Sequence, residues 1–268
     1  MSVSVHPSSV VDARAELGAG VEIGPFCVVG PKVQLGDGVK LHSHVVVAGD
    51  TQIGARTQIY PFASIGHPPQ DLKYKGEPVT LRVGADCLIR EGVTMNPGTA
   101  GGGGETIVGS HGSFLANSHV AHDCRLGDNV ILSNNVMIGG HVRIEDFVIF
   151  GGGAAAHQFV RVGAHAFVGA MACVRADLIP YGLAIGTHAW LAGLNYVGMK
   201  RRGFTSENIQ ALRHAYKEIF SGAGTLKERI EDAAATYADQ ATVQQVVAFL
   251  RAGGDAAICL PREDKDEA

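Results

Sequence analysis

An apolar residue recurs at every sixth position from Val108 to Val174: Val108, Phe114, Val120, Leu126, Leu132, Ile138, Ile144, Phe150, Ala156, Val162, Val168 and Val174. An earlier run keeps the same spacing through Val5, Val11, Leu17, Ile23, Val29, Leu35, Leu41, Val47, Ile53, Ile59 and Ile65, and a short third run, Val83, Ile89 and Met95, lies between the two. All 23 positions of the long runs are apolar, which at 46% hydrophobic content has a chance of roughly one in ten to a hundred million. A period of six fits neither the helix nor a simple alternating strand. It fits stacked coils of short strands joined by tight turns, in which each aliphatic side chain points inward and stacks on its counterparts in neighbouring coils. Glycine often follows the aliphatic residue, as at Gly109, Gly127, Gly139, Gly163 and Gly169, and reads as the turn residue.

The register breaks twice. Segments 67–82 and 96–107, the first rich in proline and charge and the second in glycine, are predicted as loops thrown out from the stack. Loops on a rigid scaffold display binding groups, although surface insertions are also tolerated there. The repeats fade near Pro180-Tyr-Gly182, so residues 1–190 are assigned to the solenoid and 191–256 to a helical unit. Thr205 can cap one helix, Thr225 with Glu228 forms a capping box for a second, and a third stops at Gly253-Gly254. One face of this unit can cover an open end of the coil stack. Residues 257–268 read as a charged, disordered tail.

Composition sharpens this picture at three points. The 36 glycines, without a three-residue period, imply many tight turns. A net charge of −4 with no basic stripe sets aside a dedicated nucleic-acid binder. Five cysteines without a C-x-x-C pair argue against a disulfide framework and a cysteine zinc site. With no leader-like start and no apolar run of membrane-spanning length, a cytoplasmic protein without membrane insertion is expected.

Seven of the twelve histidines fall between His111 and His188. If three hexads make a coil, His122 plus one coil lands one residue short of His141, and His119 and His157 fall along the same edge. Such a ladder is either a site or a row of solvated polar positions. A purely structural solenoid would scatter its histidines instead. His122 and Asp123 form the sharpest pair, because a carboxylate holding one ring nitrogen leaves the other as a base. Neighbours on a strand face opposite ways, so only a corner of the coil would let both serve one site. Zinc held by His119, His122 and His141 is the rival reading. The H-x4-H spacing of zinc-holding trimeric hexapeptide proteins is absent, and no metal or cofactor is expected.

Several segments together carry a resemblance: Ser64-Ile-Gly66, Gln70-Asp-Leu-Lys-Tyr74, Gly76-Glu-Pro78, His119-Val-Ala-His-Asp-Cys124, Asn134-Asn135, Gly139-Gly-His141, His157-Gln-Phe159 and Lys200-Arg-Arg-Gly-Phe204. Over nearly its whole length the chain resembles the UDP-N-acetylglucosamine 3-O-acyltransferase family, which opens lipid A biosynthesis. The resemblance implies a mainly β fold, a left-handed parallel β-helix of hexapeptide repeats followed by a C-terminal α-helical domain, assembled as a homotrimer with sites between protomers. It implies transfer of a 3-hydroxyacyl chain from acyl carrier protein to the glucosamine 3-hydroxyl of UDP-N-acetylglucosamine. His122 would be the general base, Asp123 its orienting partner and the Gly140 N–H the oxyanion donor. Gln70, Asp71, Lys73, Asn96, His119, His141, His157, Gln158, Asn195, Arg201 and Arg202 would bind the acceptor. Ala170, Met171 and His188 would shape the acyl pocket. Lys200, Arg201, Arg202, Arg213 and Lys217 offer a basic patch to the acidic carrier protein. Another enzyme on the same scaffold, dependent on acetyl-coenzyme A or zinc, is the alternative.

The chain departs from the family pattern in three places. Asn96-Pro-Gly-Thr99 stands for His-Arg-Gly-Thr, Val197 for a glutamate, and Ala170 for the glycine at the floor of the acyl pocket. The first leaves open a 3-amino acceptor and an amide product. The third predicts a preference for a chain no longer than glycine-bearing relatives use.

Overall fold

A computed structural model describes residues 2–262. Three sheets of 11, 9 and 8 strands, parallel except for the last strand of the first, form the faces of a prism. Consecutive strands pass from the first sheet to the second and then the third, and each pairs with the strand one coil further on. Thus Val120 lies beside Ile138, Leu126 beside Ile144 and Leu132 beside Phe150. Three hexads make one coil, as the spacing requires.

The prism interior takes two side chains per hexad, where the periodicity revealed one. Besides the aliphatic series, the position four residues later is buried from Val21 onward, by Val130, Val136, Val142 and Val148 among others and by the free cysteines Cys27, Cys87 and Cys124. Small residues suffice there because the corner narrows the section. The turn is also made differently from expectation. The left-handed residue is the third after the aliphatic one, at Asn117, Asp123, Asn129, Asn135 and His141, with φ between 58° and 63°. Asn, Asp and His are the non-glycine residues that adopt this region most readily. The glycine directly after the aliphatic residue serves close approach instead. A Cβ on Gly109 would lie 2.5 Å from the backbone of Gly127 in the next coil.

The two loops are shorter than the expected segments, because Thr80–Val83 and Glu105–Val108 are strands of the third sheet. Pairing of Ile65 with Met95 and of Met95 with Val120 shows that the stack resumes in phase after each loop. At the far end the first sheet continues past the expected boundary: Gly182–Ile185 pairs in parallel with Phe167–Val168, and Trp190–Leu194 turns back antiparallel on it. Helices α1 (Tyr196–Arg201), α2 (Ser206–Ser221), α3 (Leu226–Thr236) and α4 (Ala241–Ala252) follow. Thr205 caps α2, and Thr225 with Glu228 forms the capping box of α3. The short α1, capped by Asn195, carries too few residues for a periodic signal.

Residues 257–260 correct the expected disorder. Asp177 N–H donates to the Ala257 carbonyl, Cys259 N–H to Asp177, and Leu191 N–H to Leu260. The last coil has open backbone groups, and this segment supplies their partners. Residues 263–268 of the expected tail lie outside the described ones. At the opposite end of the described residues, Val5 is 42% exposed despite its inward position. Among the described residues no helix is long and apolar enough to cross a membrane.

The helical unit is tied to the prism along one corner. His165 stacks between Phe147 at 4.9 Å and Tyr181 at 5.2 Å, with Phe204 edge-on at 5.1 Å. The Arg202 Nη2 donates to the Phe147 carbonyl at 2.7 Å. Burial, and then the Arg202 charge, pushes the His165 imidazole down to about 4 from 6.5, against a smaller opposing pull from Asp146. The unfolded chain therefore takes a proton that the folded chain refuses between these values. Stability should fall as pH drops from 6.5 towards 4 and be insensitive to this group above 6.5. His165→Phe keeps the stack and should flatten that slope in melting temperatures measured across the window; an unaltered slope would remove His165 as its source.

Candidate active site

The second and third sheets meet at a corner where the strand His119–Val120 gives way to a turn formed by His122 and Asp123. Val120 and Cys124 point into the prism, so the two residues between Ala121 and Cys124 face outward. Because Asp123 is left-handed, at φ 60°, its side chain folds back beside that of its neighbour. His122 Nδ1 lies 2.8 Å from Asp123 Oδ2. With the proton on Nδ1 donated to the carboxylate, Nε2 keeps its lone pair.

Asp123 is held from a second side. The Thr99 N–H donates to Oδ1 at 2.8 Å and the Thr99 hydroxyl to Oδ2 at 2.7 Å. The Asp123 N–H donates to the Thr106 hydroxyl at 2.8 Å. Its carboxylate side chain has no exposed surface, and His122 retains only 8% of its own. That ring sits at the corner and outside the hydrophobic core, under cover of Gly140 one coil on. A Cβ on Gly140 would come 2.5 Å from Cε1 and 2.6 Å from Nε2. Glycine is therefore needed here for space.

The Gly140 N–H makes no backbone hydrogen bond among the described residues. At the next corner of the prism, aspartates take the equivalent amides: Asp128 accepts from Ser110 N–H and Asp146 from Asp128 N–H, each at 2.7 Å. Nothing does so at Gly140, which leaves a donor beside the His122 ring for an incoming oxygen.

His141 meets His122 edge-on at 5.0 Å and stacks on Phe159 at 4.4 Å, one coil further. Burial holds its imidazole below the ordinary value, while Asp123 opposes the shift; Asp71 and Lys73 also act on it through space. His119 faces outward and shares a 2.7 Å hydrogen bond with the Thr94 hydroxyl. Burial, and then the His122 charge, lowers it too. Both rings are thus neutral hydrogen-bonding groups near neutral pH.

Among the described residues, His122, Asp123 and His141 have ligand atoms all within 4.8 Å of one another that could hold a metal. The set differs from the one weighed from the sequence, since Thr94 engages His119. Two of its atoms, His122 Nδ1 and Asp123 Oδ2, already share a hydrogen bond, and Thr99 engages both carboxylate oxygens.

Asn96, 4% exposed, donates from Nδ2 to the carbonyls of His67 and Pro68 at 3.1 and 3.3 Å, fastening one loop to the other. Gln70 and Lys73 are exposed, and Asp71 accepts from the Lys73 N–H at 2.9 Å. His157 and Gln158 are exposed one coil beyond Gly139 and Gly140. The remaining candidates lie elsewhere on the chain. Ala170, Met171 and the hairpin residue His188 lie towards the corner between the first and second sheets, all exposed. Asn195 caps α1 and donates to the His165 carbonyl at 3.0 Å. Arg201 and Arg202 line a cleft of about 540 Å³ on the outer face of the first sheet, with Ile149, Phe167, Leu183 and Val197.

Two groups of residues escaped the sequence reading. Thr94, Thr99 and Thr106 hold the chemistry-bearing side chains, and nothing in their spacing marks them. On the outward face of the second sheet, His119 is followed coil by coil by Met137, Ala155 and Cys173. This apolar stripe leads from the His122–Asp123 corner to the hairpin, where Ala189 N–H donates to the Cys173 carbonyl. The hexad phase could have found it, since the position before each aliphatic residue points outward.

Comparison with known proteins places the whole chain. Residues 14–49 match the bacterial transferase hexapeptide (six repeats) family and residues 177–259 match Udp N-acetylglucosamine O-acyltransferase, domain 2. The chain is 50% identical over 260 residues to the acyl-[acyl-carrier-protein]–UDP-N-acetylglucosamine O-acyltransferase of Sinorhizobium fredii, covering 97% of this chain and 96% of that one. It is 60% identical over 206 residues to the enzyme of the same name from Methylobacterium radiotolerans, covering 77% and 76%. The crystal structure of the UDP-N-acetylglucosamine O-acyltransferase of Moraxella catarrhalis superposes with a TM-score of 0.92 at 35% identity, over 97% of this chain and all of that one. The prism is accordingly a left-handed parallel β-helix. A hexapeptide scaffold, with a relative 50% identical over 97% of the chain and a solved structure superposing over the same share, places the chain in the UDP-N-acetylglucosamine O-acyltransferase family.

Proposed function

We propose that the chain transfers a 3-hydroxyacyl group from acyl carrier protein to the 3-hydroxyl of UDP-N-acetylglucosamine, the first step of lipid A biosynthesis, in the cytoplasm. The hydrogen-bonded His122–Asp123 pair beside the free Gly140 N–H carries this reading. His122 Nε2 takes the proton from the sugar hydroxyl as its oxygen attacks the thioester carbonyl, and Asp123 stabilises the imidazolium. The Gly140 N–H donates to the oxyanion of the tetrahedral intermediate. Collapse expels the carrier thiolate, which recovers the proton from His122. The relatives are named O-acyltransferases, which favours the hydroxyl over a 3-amino acceptor and over coenzyme A or zinc chemistry.

The division of the candidates between edges supports a homotrimer. His122 lies at the corner of the second and third sheets, while Asn195, Arg201 and Arg202 border a cleft on the first. A neighbouring copy that lays its cleft against the catalytic corner completes a pocket for the nucleotide and phosphates. The acyl chain follows the stripe of Met137, Ala155 and Cys173 towards Ala170, Met171 and His188. Exposed Lys200 and Arg201, with Arg213 and Lys217 on α2, attract the acidic carrier.

Incubation with UDP-N-acetylglucosamine and a panel of 3-hydroxyacyl carrier proteins should give the 3-O-acyl product in chelating buffer. His122→Ala should lower turnover by roughly a hundred- to ten-thousandfold, and undiminished turnover would remove His122 as the base. Gly140→Ala forces a Cβ onto the His122 ring and should lower kcat by about a hundredfold, read in the same assay. Ala170→Gly deepens the acyl pocket and should move the preferred chain to a longer one; an unchanged preference across the panel would separate Ala170 from chain selection.

A further inference from the structure

Resting on the reading of His122 as the base, we infer that Thr99 is a positioning residue that sets the orientation of Asp123 and, through it, of His122. A carboxylate beside an imidazole can rotate about its own bond, and one contact to Nδ1 does not fix that rotation. Thr99 fixes it, because its N–H and its hydroxyl reach the two different oxygens of Asp123, at 2.8 and 2.7 Å. The Oδ2 that takes the Thr99 hydroxyl is also the oxygen facing His122 Nδ1. Thr106 meanwhile holds the Asp123 backbone.

Thr99 is itself locked. It is 6% exposed, and its carbonyl accepts from the Gly102 N–H at 3.0 Å and the Gly104 N–H at 2.8 Å, closing the turn Ala100–Gly102 around the carboxylate. This turn belongs to the 96–104 loop, outside the coil that carries the dyad. The same loop is joined to the 66–79 loop through Asn96, and through Ala100 N–H to Glu77 Oε1 at 3.4 Å. The loop bearing Asp71 and Lys73 and the orientation of the base are thus connected through one short segment.

The test is a double-mutant cycle on the full-length enzyme. Thr99→Val removes the hydroxyl and keeps the shape. It should lower kcat about ten- to a hundredfold with KM for UDP-N-acetylglucosamine held within about twofold. Thr99→Ser, which keeps the hydroxyl, should restore kcat. In an Asp123→Ala background, Thr99→Val should cost nothing further. Full kcat in Thr99→Val, an equal loss in both backgrounds, or a change confined to KM would overturn the proposal. Thr99→Ala gives the same comparisons should the valine variant be insoluble. Intact turnover in His122→Ala would sink the base assignment itself, whereas an inactive His122→Ala beside a fully active Thr99→Val would sink only the role of Thr99.

Discussion

Every sixth residue the chain must change direction within two residues, and the structure depends on how it does so. The solution at most corners is one left-handed residue three places after the aliphatic one. Side chains before and after the corner then stack in straight columns, and those on it point away from the core. The cost of a positive φ is offset at some corners by Asn, Asp or His, whose short polar groups tolerate it, and at others by glycine, while Phe26, Arg56, Phe62, Phe147 and Phe159 bear it. At one corner the same geometry gives His122 and Asp123, neighbours in sequence, a shared outward direction that a strand would deny them. The chemistry is a by-product of the turn.

Much of this was legible in the sequence because stacking makes the core periodic. A side chain that must meet its counterpart one coil away repeats at a fixed interval, so the three-sided stack, the positions of both loops and the caps of α2 and α3 could all be inferred. The second inward position was hidden, since Val, Cys, Ala and Thr there share only small size. The turn residue was misplaced for a related reason: glycine marks a close approach between coils, whereas asparagine and histidine mark the corner. Thr99 could not have been found, because its partner lies 24 residues away across a loop whose path no periodicity dictates.

The candidate site divides into a rigid half and an adjustable half. His119, His122, Gly140 and His141 rise from coils whose backbones are paired on both sides, so their relative positions vary little. The acceptor-side residues Asp71 and Lys73 sit on a loop fastened at few points. The groups proposed to move protons are therefore set by the scaffold, and those proposed to recognise the sugar nucleotide hang from it. Of the three positions where the sequence departs from the family pattern, Ala170 and Val197 lie far from the dyad, whereas Asn96 belongs to the loop whose Thr99 holds Asp123.

The exposure of Val5 has its own consequence. A stack whose units touch only their neighbours loosens first where its inward residues meet solvent, and among the described residues that is around Val5. The far end of the stack is shut by helices and by the strand-like segment around Cys259. Amide protons would exchange fastest in the opening hexads and ever more slowly towards the aromatic corner at His165, giving a one-way gradient of rigidity along the long axis. The dyad lies well inside that gradient, several coils from the edge that frays.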